Sequence, residues 1–103
     1  MKDGLKYLVG KRIAAVVVAR SKRPPHDQVF LVFDDGTRFE LYGENFTCCS
    51  GLDPAAGIAA YVKNGGGEIA QVHAAPETTA ALMSRDLKAW DLARAAIVKA
   101  RRG

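Results

Sequence analysis

The chain has 103 residues, of which 49% are hydrophobic and 25% charged, with a formal net charge of +4. That balance excludes a disordered chain, and the length suits one domain, residues 1–103, with a core that needs no staples. No apolar run reaches the roughly 20 residues that span a bilayer and residues 1–11 are too charged for a secretory signal, so a cytoplasmic protein with no membrane partner is expected.

The charge is unevenly distributed. Residues 1–23 hold seven Lys or Arg against one Asp, residues 24–75 hold two basic against seven acidic, and residues 76–103 hold six basic against three acidic. Basic ends around an acidic middle suit pairing within one chain or between two copies at least as well as they suit nucleic acid.

Residues 5–9 are compatible with a helical turn or a lead-in strand. Along residues 11–20, KRIAAVVVAR, both alternating faces are apolar, which predicts a central strand covered on both sides, with a helix as the alternative for so Ala-rich a run. Pro24 and Pro25 then remove ladder donors and mark a loop. Val29 to Tyr42, VFLVFDDGTRFELY, reads as a β-hairpin. A two-residue Asp35-Gly36 turn would mix apolar and charged residues on one surface. A three-residue Asp34-Asp35-Gly36 loop, with Gly36 left-handed, sets Leu31 opposite Phe39 and Val29 opposite Leu41. This second register yields an apolar face of Val29, Leu31, Phe33, Phe39 and Leu41 and a mixed face of Phe30, Val32, Arg38, Glu40 and Tyr42. The apolar face is expected to meet the helices, leaving Phe30 and Val32 on the outer one.

Residues 43–51 lack a sustained period and read as a loop leaving the sheet. Asp53 and Pro54 suit the N-cap and first position of a helix that Asn64-Gly65 closes, with Ile58, Tyr61 and Val62 inward. Residues 68–74 read as a fourth strand at an edge. From Glu77 the chain has no Gly or Pro until Gly103 and predicts one long helix, with Leu82, Met83, Leu87, Trp90, Ala93, Ile97 and Ala100 on a stripe. The expected fold is α+β: a four-stranded antiparallel sheet in the order β-β-β-α-β-α, one face packed on the helices.

The chemistry-bearing residues have structural explanations at hand. Gly65-Gly66-Gly67 follows a helix and opens a strand, the reverse of a phosphate-binding loop, and Gly10-Lys11 leads into a strand without the Ser or Thr of a P-loop. Cys48 and Cys49 are adjacent, which suits neither a disulfide framework nor the spacing of a zinc site with His26 or His73. Asp34 and Asp35 fit a turn. No metal and no cofactor is called for.

Gly10-Lys11-x-Ile13, Phe33-x-Asp35-Gly36-Thr37 and Glu40-Leu41-Tyr42-Gly43 resemble small bacterial β-meander domains, some of which carry paired cysteines after the third strand. The resemblance covers residues 8–51, leaves out the C-terminal helix and implies no activity.

Three functions remain open. The first is a non-catalytic binding or protein-interaction domain, a homodimer with Phe30, Val32, Trp90, Arg94 and Arg101 at its interface. The second is a small-molecule or minor enzymatic pocket drawing on Tyr42, Glu44, Cys48, Cys49 and His73. The third is weak, salt-sensitive binding of nucleic acid through Arg20, Lys22, Arg23, Arg101 and Arg102.

Overall fold

The computed structural model describes residues 3–24, 26–46, 48–84 and 86–102, without the side chains of residues 3, 50 and 100–102. Its strands are β1 (Ile13–Ser21), β2 (Asp27–Phe33), β3 (Thr37–Tyr42), β4 (Cys48–Pro54) and β5 (Gly67–His73); its α-helices are α1 (Ile58–Asn64), α2 (Pro76–Met83) and α3 (Leu87–Arg102). Short 3-10 helices cover Asp3–Leu8 and Glu44–Phe46. All strand pairs are antiparallel and the order across the sheet is β4-β3-β2-β1-β5. The fold is α+β, but the sheet has five strands rather than four and the C-terminal third holds two helices rather than one.

The extra strand is β4, in the stretch expected to be a loop. Gly43 at φ 82° and Asn45 and Phe46, each at φ 55°, reverse the chain tightly enough to lay Cys48–Pro54 along β3. An edge strand bonded on one side needs no alternating pattern, and Pro54 at its end removes no donor from the sheet interior. Asp53 and Pro54 therefore finish a strand and do not open a helix; α1 begins after Gly57, whose φ of 81° is left-handed. Its C-terminal end is as expected, with the Gly65 amide donating to the Tyr61 carbonyl.

The long helix is interrupted without Gly or Pro. Ser84 is extended, its Oγ accepts the Asp86 amide, and Asp86 Oδ1 in turn accepts the Lys88 amide. Short polar side chains that compete for backbone donors end one helix and cap the next.

The hairpin has the three-residue register, with Leu31 opposite Phe39 and Val29 opposite Leu41. Gly36 is left-handed at φ 92°, and Asp35 Oδ1 accepts the Thr37 amide at 3.0 Å. The faces, however, are the reverse of the expected ones. Ala15 and Val17 lie beside Val32 and Phe30, and these small β1 side chains let the helices approach. Phe30, Val32, Ile58, Val62, Leu82 and Trp90 close into the core there. The nominally mixed face is thus the buried one. Phe30, Val32 and Trp90 are 0%, 0% and 1% exposed, so they hold this chain together and cannot meet a partner.

On the other face, rows across the sheet join Val18, Val29, Leu41 and Cys49, and then Val16, Leu31, Phe39 and Leu52. Val16, Val18, Val29, Leu31 and Leu41 are partly exposed, so β1 is covered on one side only. Phe33 and Phe39 on this side are closed off, with the Lys11 ammonium 5.9 Å from the Phe33 ring centroid and the Asp3–Leu8 helix packed on β4. The shortest extent of the chain, 18 Å, is that of one helix layer on one sheet.

Candidate functional site

Alternation along β3 sends Arg38, Glu40 and Tyr42 toward the helices, beside Gln28 and Phe30 of β2. Above them α1 contributes Tyr61. Glu40 is 3% exposed. Its carboxylate accepts hydrogen bonds from Gln28 Nε2 at 2.7 Å and from the Tyr61 hydroxyl at 2.9 Å. Donors of this kind offset the cost of taking a carboxylate out of water.

Arg38 lies in the same layer, with its guanidinium 4.6 Å from the Tyr61 ring centroid and 5.9 Å from that of Phe30. Its Nη1 donates to the Pro54 carbonyl at 2.7 Å, which ties the edge strand to the core. The Phe30 and Tyr61 rings meet edge to face, 6.0 Å apart at 89°. Partial burial first, then the hydrogen bond to Glu40 and its negative charge, push the Tyr61 phenol above its usual 10.0, against the opposing pull of Arg38.

Gln28, Glu40 and Tyr61 border a two-lobed cleft at the end of the sheet. The inner lobe, about 570 Å³, is lined by Ser21, Gln28, Glu40, Tyr42, Tyr61 and Asn64. The outer lobe, about 880 Å³, is lined by Arg20, Lys22, Arg23 and Lys63 with Glu68. Ser21, Asn64 and Gly65 belong to both lobes. The walls are tied together by Ser21 Oγ, which donates to the Gly66 carbonyl at 3.3 Å and accepts the Arg23 amide at 3.2 Å. A side chain at Gly67 would crowd this wall, since a Cβ would stand 3.1 Å from the Arg20 carbonyl oxygen and 3.2 Å from Val62 Cγ1.

Of the residues singled out from the sequence, Tyr42 enters this cleft. Glu44 is exposed on the turn before β4. Cys48 lies beside Tyr42 and Cys49 beside Leu41, so the adjacent thiols, both free, face opposite sides of the sheet. His73 is on the far edge strand, roughly 19 Å away at four strand spacings, and lies 3.1 Å from Gln71 Oε1. The sheet order therefore separates the cysteines from this histidine. Among the described residues no three His, Cys, Asp or Glu side chains gather as a metal site, and no helix is long and apolar enough to cross a membrane.

Arg94 is partly buried, its guanidinium end against Gly36 of the hairpin turn. The side chains of Arg101 and Arg102 lie outside the described residues. Arg20, Lys22 and Arg23 are gathered with Lys63, a residue the sequence reading passed over. Gln28 was passed over too. The available signal was a polar residue two positions before Phe30 on the strand, which alternation sends to the same face as Glu40.

Comparison of the chain with protein-family models, curated proteins and solved structures finds no match.

Proposed function

We propose that this chain is a non-catalytic interaction domain that pairs with a second copy of itself through the helix-free face of its sheet. The observation that carries this reading is the partly exposed apolar patch of Val16, Val18, Val29, Leu31 and Leu41 on two adjacent rows, with Arg20 and Asp27 together on the row below.

That layout is self-complementary about one axis. Arg20 and Asp27, Val18 and Val29, and Val16 and Leu31 are neighbours across β1 and β2. A two-fold axis running between these strands, parallel to them, sets Arg20 opposite Asp27 of the partner subunit. It also sets Val18 opposite the partner's Val29 and Val16 opposite the partner's Leu31. Such a contact is isologous, with the same patch used twice and an apolar centre bounded by charge at one end. Strands six to nine residues long in a five-stranded sheet make a face of roughly 500 Å² in projection, on the scale of the about 800 Å² per partner of a standard interface.

Light scattering at micromolar concentration tests it. A dimer mass is expected for the native chain and a monomer mass for folded Leu31→Asp. Arg20→Asp and Asp27→Arg should each weaken the dimer and together restore it. A native monomer mass at low and high salt would overturn the reading.

A further inference from the structure

The cleft at the end of the sheet is dipolar, and its two ends call for a ligand with the same property. We infer that it binds a small zwitterion: a molecule with an ammonium group for the inner lobe and a phosphate for the outer one.

The inner lobe is built for a cation. Glu40 and Gln28, both more than nine-tenths buried, line it together with the rings of Tyr42 and Tyr61. A carboxylate beside the ring of Tyr42 is a combination that recognises ammonium groups, through charge and through the negative face of the ring, while the Tyr61 ring already carries the Arg38 guanidinium. The last turn of α1, which includes Asn64, adds the partial negative charge of helix carbonyls.

The outer lobe has the opposite sign. Lys22, Arg23 and Lys63 border it, and Glu68 is the one carboxylate among the described residues of its lining. Arginine and lysine together match a doubly charged phosphate better than a single carboxylate does. Ser21, Asn64 and Gly65 border both lobes, so the two adjoin. Their volumes, about 570 and 880 Å³, lie in the usual range for ligand pockets.

Solvation explains why the two halves must be joined. Neither a free amine nor free phosphate gains enough at a partly open site to offset its own lost hydration and freedom. Covalent linkage makes the second contact intramolecular, so the zwitterion binds more tightly than either half.

Calorimetric titration of the full chain with phosphoethanolamine, ethanolamine and inorganic phosphate separates the outcomes. Phosphoethanolamine should bind at least roughly tenfold more tightly than either fragment, a margin that one charge-assisted contact supplies. Glu40→Gln should reduce it to the affinity of phosphate alone, and Arg23→Ala with Lys63→Ala should reduce it to that of ethanolamine. Tyr42→Ala, which leaves the buried hydrogen bonds intact, should weaken phosphoethanolamine and ethanolamine together without touching phosphate. Equal affinity for phosphate and phosphoethanolamine would reduce the site to a basic surface, and no heat at millimolar phosphoethanolamine would remove it. Either result overturns the inference and leaves the pairing of two copies, read by mass, unaffected.

Discussion

The two faces of the sheet differ in a way that reverses their composition. The helix-covered face contains Gln28, Arg38 and Glu40, all under a tenth exposed, whereas on the other face the apolar Val16, Val18, Val29, Leu31 and Leu41 stay partly exposed. Burial follows what the next layer can satisfy, not the apolar count alone. Glu40 is buried because Gln28 and Tyr61 donate to it, and Arg38 because Pro54 accepts from it and two rings stack beneath it. Small side chains on β1 leave room above that face for Trp90 and Leu82. Val29, Leu31 and Leu41 have no such layer over them, which makes them the surface available to another molecule.

The largest test of this contrast compares neighbours on one strand. Phe30→Ala should lower stability by about 3–5 kcal/mol, as for a fully buried aromatic, and Leu31→Ala by about 1 kcal/mol when both are unfolded in urea at high dilution. Comparable losses would mean that the faces are assigned the wrong way round.

The polar residues sharpen the same point at a smaller scale. Glu40→Ala strips the acceptor from Gln28 and Tyr61 and should cost about 1–3 kcal/mol. Asp27→Ala on the opposite face should stay within about 0.5 kcal/mol in the monomer. Urea midpoints at constant slope read both.

The Tyr61 phenol gives a spectroscopic view of the buried face. Its pKa is raised in the folded chain, so the stability it contributes is full below pH 10.0 and is lost as pH rises through the higher folded value. Absorbance titration of a chain with Tyr7 and Tyr42 replaced by Phe should find that elevated midpoint. Glu40→Gln should bring it down by removing the charge that disfavours the phenolate.

The smallest effect belongs to Asp35 on the exposed hairpin turn. Slight burial acts to raise its pKa, but hydrogen bonds from Lys11 and Thr37 outweigh that and hold the carboxyl below 3.8. The stability this gives is present above pH 3.8 and is lost as pH falls through the lower folded value. Because the Asp35 side chain is 39% exposed, the loss should be small and should shrink further in salt. Acid unfolding of Lys11→Ala against the native chain measures it.

The elements encoded by local chemistry were legible in the residues. The hairpin register was readable because Gly36 and the two aspartates restrict the turn, and turn length dictates which residues face each other. The Asn64-Gly65 stop and the edge strand before Pro76 were readable for the same reason: glycine and proline act on their own backbone. The break at Ser84–Asp86 was written in the sequence too, but as side-chain competition for amides, a weaker signal than a missing donor.

What only the tertiary structure decided is everything that depends on a neighbour distant in sequence. β4 exists because β3 offers a free edge, so its irregular sequence carries no period of its own. The face that meets the helices was decided by the partners found for Arg38 and Glu40, one of them at Pro54 and another at Tyr61. Likewise, Cys48 and His73 carry chemistry that spacing alone cannot join, and the strand order sets them on opposite edges of the sheet. The cleft forms where the β1–β2 connection, the end of α1 and β3 converge, segments separated by up to 45 residues, as in the Ser21 to Gly66 hydrogen bond. A sequence pattern fixes how a backbone turns and alternates; only the packed chain fixes which polar groups can be desolvated, because that depends on a partner being within hydrogen-bond reach.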